Sequence, residues 1–104
     1  MIALSYRVNA SEADTCEAYV EPDDTIVIKG YIRRGSGALK PLTLRCYVAT
    51  HGREPPGPML LPLFRRSPET WQIPNAPIFV DESPMPVWIV GVPENVSNAW
   101  ARGT

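Results

Sequence analysis

Proline takes 12 of the 104 positions: 22, 41, 55, 56, 58, 62, 68, 74, 77, 84, 86 and 93. Each removes a backbone donor, and its ring clashes with the preceding turn of a helix. After Lys40 no stretch of about ten residues, the length an ordinary helix needs, also carries helical periodicity. The chain is therefore driven toward short strands joined by fixed turns.

Strand periodicity is clear in the first half. Residues 2–8 alternate, with Ile2, Leu4, Tyr6 and Val8 on one side and Ala3, Ser5 and Arg7 on the other, which predicts a strand with one buried face. Ser11 and Asp14 offer a helix-capping pattern, but Thr15 to Val20 also alternates and is read as a strand with Cys16, Ala18 and Val20 inward. Thr25 to Arg33 and Lys40 to Thr50 form a predicted hairpin. Its inward residues are Ile26, Ile28, Gly30 and Ile32, then Leu42, Leu44, Cys46 and Val48, and Arg34 to Leu39 make a glycine-rich reversal. Pro41 falls at a strand start, where its missing N–H does little harm.

Regularity then breaks. Residues 51–69 hold five prolines, two glycines and the apolar run from Met59 to Phe64. A structureless stretch this long is unusual in a compact domain unless it is functional or disordered. Residues 59–64 are also readable as an edge strand with Pro62 facing out. Residues 71–73 and 78–80 are short strand candidates. Val87 to Val92 is a continuous apolar run, which predicts a central strand covered on both sides. Residues 95–102 read as one loose helical turn ending at Gly103.

About seven short strands with turn signals every 8–12 residues or so predict one all-β domain over residues 1–104. The expected architecture is an antiparallel β-sandwich, immunoglobulin-like in outline, with a small open β-barrel as the alternative. A sandwich of this size leaves sheet edges that invite self-association.

The chain shows no apolar run near the 18–20 or so residues of a spanning helix, and no basic leader followed by an apolar stretch. A cytoplasmic protein without membrane association is expected, with a virion or exported particle as the alternative. Cys16 and Cys46 then read as buried, reduced small hydrophobes, a disulfide being the alternative outside a reducing compartment. No cofactor or metal is expected: a single histidine, His51, and two separated cysteines make a poor ligand set. The pairs Asp23-Asp24 and Asp81-Glu82 lack EF-hand spacing and suit turns. Gly35-Ser36-Gly37 lacks the helix and lysine of a phosphate loop, His51 has no nucleophile near it in sequence, and no enzyme activity is expected. Asn9-Ala10-Ser11 and Asn95-Val96-Ser97 are formal glycosylation triplets, read as chance.

Charge is segregated along the chain, although the net charge is only −1. Residues 12–24 carry six acids and no base, and residues 29–66 carry eight bases and one acid. The outward hairpin face gathers Lys29, Tyr31, Arg33, Arg45 and Tyr47, a set able to stack and neutralise single-stranded nucleic acid. The near-neutral total argues against that use. Pairing with Glu17, Tyr19 and Glu21 on a neighbouring strand accounts for the same residues.

The leading functional expectation is a non-enzymatic protein-binding or assembly module. Its site is the proline-shaped segment Met59, Leu60, Leu61, Leu63 and Phe64 with Arg65 and Arg66 at the rim. The competing reading makes that segment a lid over the core. Analogy at the level of fold places such modules among accessory proteins of viruses, phages and bacterial assemblies. A third reading is a glycan-binding β domain using exposed Trp71 or Trp100.

Overall fold

The computed structural model describes residues 2–8, 14–32, 37–49, 57, 60–80 and 83–102. Among these described residues, nine strands and one helix follow in chain order. They are β1 (Ile2–Val8), β2 (Asp14–Val20), β3 (Ile26–Ile32), β4 (Lys40–Val48), β5 (Leu61–Ser67), β6 (Thr70–Ile73), β7 (Phe79–Val80), β8 (Ser83–Pro84), β9 (Val87–Val90) and α1 (Glu94–Arg102). Seven strands close into a barrel in the order β1-β2-β3-β4-β5-β6-β9, and β7 with β8 forms a separate two-stranded ribbon. The all-β expectation holds, and of the two architectures the small barrel is the one formed, closed rather than open. Closure comes from β9, which pairs antiparallel with both β1 and β6. It removes the edges that a sandwich would leave.

Alternation builds the core, as expected for β1 to β4: Leu4 and Tyr6, Cys16 and Ala18, Ile26 and Ile28, and Leu44, Cys46 and Val48 point into the barrel and are buried. Leu63, Trp71 and Ile73, and Val87 and Ile89 join them from β5, β6 and β9. Val20 departs from the pattern. It ends β2 beside the turn and is 50% exposed. β9 is central, with a partner on each side, but only one face is covered: Val87 and Ile89 are buried, Trp88 and Val90 half-buried.

The Met59–Phe64 segment is where expectation and structure diverge most. Met59 lies outside the described residues. Leu61 to Ser67 is neither a loop nor a simple edge but a strand of the barrel wall. β5 pairs parallel with β4 through Leu61, Pro62 and Leu63, then antiparallel with β6 from Phe64 to Ser67. Parallel partners need a crossover of about a dozen residues, and residues 49–60 supply that length. Pro62 lies where β5 has an in-register neighbour on one side only, so its missing donor is tolerated.

The β2–β3 turn explains the cluster of acids there. Asp24 N–H donates to the Glu21 carbonyl at 2.9 Å, with Pro22 at the first central position, where a type I turn favours it. Asp24 then adopts φ 67°, the left-handed residue that completes such a hairpin loop. The Asp23 carboxylate accepts from the Thr25 hydroxyl and N–H, at 2.7 and 3.2 Å. These bonds hold its pKa below the usual carboxylate value. A β-branched side chain at Asp24 would be strained, so Asp24→Val is expected to lower stability by about 1–2 kcal/mol. Asp24→Gly should stay within about 0.5 kcal/mol of the parent. Urea denaturation of the three proteins checks the order.

The chain's last element is a full helix of nine residues rather than one loose turn. Pro93 precedes it and its carbonyl accepts from Ser97 N–H at 2.9 Å. Glu94 in the first turn and Arg102 in the last complement the helix dipole. Ser97 and Trp100, three residues apart and so on one face, are buried against the barrel. Ser97 Oγ accepts from Trp71 Nε1–H at 2.6 Å, and the Trp71 and Trp100 rings meet edge to face at 5.7 Å. Gly91, at φ 69°, turns the chain from β9 toward this helix.

Candidate functional site

The outer wall over β2, β3 and β4 carries the predicted hairpin surface. Pairing is in register: Glu17 faces Lys29, and Lys29 faces Thr43. One step along, Tyr19, Val27 and Arg45 form a second row. The Lys29 ammonium lies 5.8 Å from the centre of the Tyr19 ring. Arg45 donates to Glu21 at 3.0 Å and to the Thr25 hydroxyl at 3.3 Å, with Asp23 at 4.0 Å. The acidic strand therefore lies beside the basic hairpin, as the pairing reading expects. Arg45 is held by two carboxylates, which weakens its standing as a phosphate contact. Arg33 lies outside the described residues. Tyr47 is half-buried, and Tyr31 stands 52% exposed.

A groove of about 460 Å³ opens on this wall between Glu17, Lys29, Tyr31, Pro41 and Thr43. Gly30 contributes to it, and close packing demands a glycine there. A Cβ at this position would sit 2.5 Å from Cε1 of Tyr6 and 3.0 Å from Cβ of Cys16. The Tyr6 ring occupies the space beneath, and burial pushes its pKa up to about 12, with the Asp14 carboxylate adding to the shift. Its hydroxyl lies beside the Tyr31 backbone without a hydrogen bond of ordinary geometry. Tyr31 and Leu39, at 52% and 46% exposure, are two of the three most exposed large apolar residues among those described. Both stand at the reversal end of the hairpin, where Tyr31 pairs with Pro41.

The 60–66 segment offers much less apolar surface than its sequence suggests. Leu63 is fully buried, and Leu61 is half-buried and packs on the core. Leu60 and Phe64 are half-buried, while Arg65 and Arg66 are exposed. Arg65 donates to the Asn98 side chain at 3.0 Å and to the Pro68 carbonyl at 3.5 Å, tying β5 to α1. Leu63 is thus a core residue, and no exposed greasy loop spans Leu60 to Phe64. Trp71 and Trp100 are also buried, at 1% and 4% exposure, so the glycan reading loses its residues. Trp88, not singled out by the sequence, is the half-exposed tryptophan. Buried Val87 and Ile89 on either side set its outward direction, an alternation hidden in the sequence because every residue of the run is apolar.

No family model matches the chain, and no curated protein or solved structure is significantly similar to it.

Both cysteines are free and buried, and burial pushes each thiol up to about 12. Cys16 lies against Gly30 and Cys46 pairs with Ile26, four residues along β3. At about 3.3 Å per residue that separation is roughly 13 Å, beyond the reach of about 7 Å that a disulfide spans. Among the described residues no three His, Cys, Asp or Glu side chains gather as a metal-ligand set. No helix among them is long and apolar enough to cross a membrane. His51, Asp81 and Glu82 lie outside the described residues.

Proposed function

We propose that the protein is a non-enzymatic binding module and that its partner is another protein, seated in the hairpin groove beside Tyr31 and Leu39. The supporting observation is exposed apolar surface at this end of the hairpin: Tyr31 lines a groove of about 460 Å³, and Leu39, two residues before the groove's Pro41, is also exposed. Aromatic anchors next to a concavity are the features that dominate protein interfaces. The rim carries both signs, Glu17 on β2 and Lys29 on β3, which suits a polypeptide with mixed charges better than a polyanion. The β5 segment offers less apolar surface, since Leu63 is fully buried and Leu61 packs on the core.

The test compares capture from a native lysate by the parent, by the double variant Tyr31→Asp/Leu39→Asp, and by Arg102→Ala at the exposed end of α1. Proteins retained by the parent and by Arg102→Ala but lost by the double variant support the reading. Both hairpin residues are exposed, so the double variant should keep its stability within about 1 kcal/mol of the parent. Unchanged capture by a folded double variant rejects the groove as the site.

A further inference from the structure

The wall opposite the hairpin has a different character. Strands β1, β5, β6 and β9 together contain three arginines and no aspartate or glutamate. Register sets four of their outward residues in one row: Arg7 faces Trp88, Trp88 faces Gln72, and Gln72 faces Phe64. Neighbouring strands lie about 4.8 Å apart, so the backbones at Trp88 and Phe64 stand roughly 10 Å from each other. Arg66 completes the row. The pairing of β5 with β6 slips between Arg65 and Ser67, leaving Arg66 as the extra residue of a bulge. Its guanidinium lies 5.1 Å from the centre of the Phe64 ring, and its Nε donates to Gln72 Oε1 at 2.8 Å. Arg7 lies at the β1 end of the row, half-buried, with its Nε enclosed and without an acceptor.

We propose that this wall binds single-stranded nucleic acid, with Trp88 as the stacking platform, Arg66, held over the Phe64 ring, as a phosphate contact, and Arg7 as the cation at the other end of the row. A half-exposed ring between two cations matches a strand of bases and phosphates. Gln72 lies between Trp88 and the Arg66–Phe64 pair, its Oε1 taken by Arg66. Single-sign charge distinguishes this wall from the hairpin wall, where Glu17, Glu21 and Asp23 accompany the bases. Glu69 is the nearest acid in sequence and lies in the β5–β6 turn, beyond the row. A single strand is favoured over a duplex because stacking on protein rings needs bases free of their own stack. An acidic polypeptide would satisfy the arginines but would leave the Trp88 ring without a planar partner.

The experiment is a fluorescence-anisotropy titration of the full chain with a labelled oligo-dT of about 16 nucleotides. With two or three phosphates neutralised, a roughly four-fold rise in salt should weaken binding about 7- to 18-fold. Trp88→Ala should weaken it about 5- to 150-fold, the range for loss of one stacked base. Arg66→Glu, at an exposed position that keeps the fold, should flatten the salt slope by about 0.7. Lys40→Ala, at an exposed position of β4, should change nothing. Absent or salt-independent binding overturns the proposal, as does poly-glutamate binding in place of the oligonucleotide. Unchanged affinity and slope for Arg66→Glu overturns it even where Trp88→Ala does not fold.

Discussion

Gly30→Val is expected to destabilise the barrel by about 3 kcal/mol or more, the upper end of overpacking in a filled core. The first carbon of any side chain there would lie 2.5 Å from the Tyr6 ring and 3.0 Å from Cys16 Cβ. Neither neighbour has room to retreat: Tyr6 and Cys16 are each 2% exposed. The opposing effect is strand propensity, which favours valine over glycine by at most about 1 kcal/mol. The clash therefore decides the sign. A domain of this size has roughly 5–15 kcal/mol of total stability, so the loss should appear as a large drop in the urea midpoint. The cycle with Tyr6→Leu separates the clash from a general intolerance of β3. Removing the ring makes space for the valine, so the double variant should be more stable than the sum of the single effects by about 0.5–3 kcal/mol. Strict additivity would show that the Tyr6 ring is not what excludes a side chain at position 30.

The same contact shows what the sequence carries and what it lacks. Alternation alone puts Gly30 on the inward face with Ile26 and Ile28, and that placement is correct. It cannot say that the missing side chain is replaced by a tyrosine 24 positions earlier, because Tyr6 reaches Gly30 only through the β1–β2–β3 order of the sheet. Local pattern therefore recovers β1 to β4, the β3–β4 hairpin and the pairing of an acidic strand with a basic one. Adjacent strands with short connections are the part of a fold that periodicity and turn chemistry encode directly.

The segment after Val48 is harder for a reason specific to β5. Leu60-Leu61-Pro62-Leu63-Phe64 carries apolar residues on both faces and a proline that argues against a central strand. It is admitted to the wall because β5 changes partner along its length, from β4 at Leu61–Leu63 to β6 at Phe64–Ser67. Nothing within the segment signals that exchange. The closing contacts of β9 with β1 and β6 are equally non-local, and they decide between a barrel and two stacked sheets. Both candidate binding walls inherit this limit. The hairpin groove joins residues close in sequence and was partly visible, whereas the Arg7–Trp88–Gln72–Phe64 row draws on four strands and exists only after closure.

Trp71→Ala is expected to cost about 3–5 kcal/mol, the range for deleting a buried aromatic side chain. Three effects converge on this residue. Its ring is 1% exposed and fills the barrel; its edge-to-face contact with Trp100 holds α1 against β6; and its Nε1–H is the donor to the buried Ser97 hydroxyl. A helix of nine residues is too short to persist alone in water, so α1 depends on this docking. Far-ultraviolet circular dichroism of Trp71→Ala should lose its helical contribution before the barrel melts in urea. Ser97→Ala is the graded control, since it keeps both rings and leaves the indole N–H buried without its acceptor. Its expected cost is about 1–3 kcal/mol, smaller than that of Trp71→Ala. If Trp71→Ala instead loses less than Ser97→Ala, the helix is held by the hydroxyl bond and not by the paired indoles, and the ring-packing account of this end of the barrel fails.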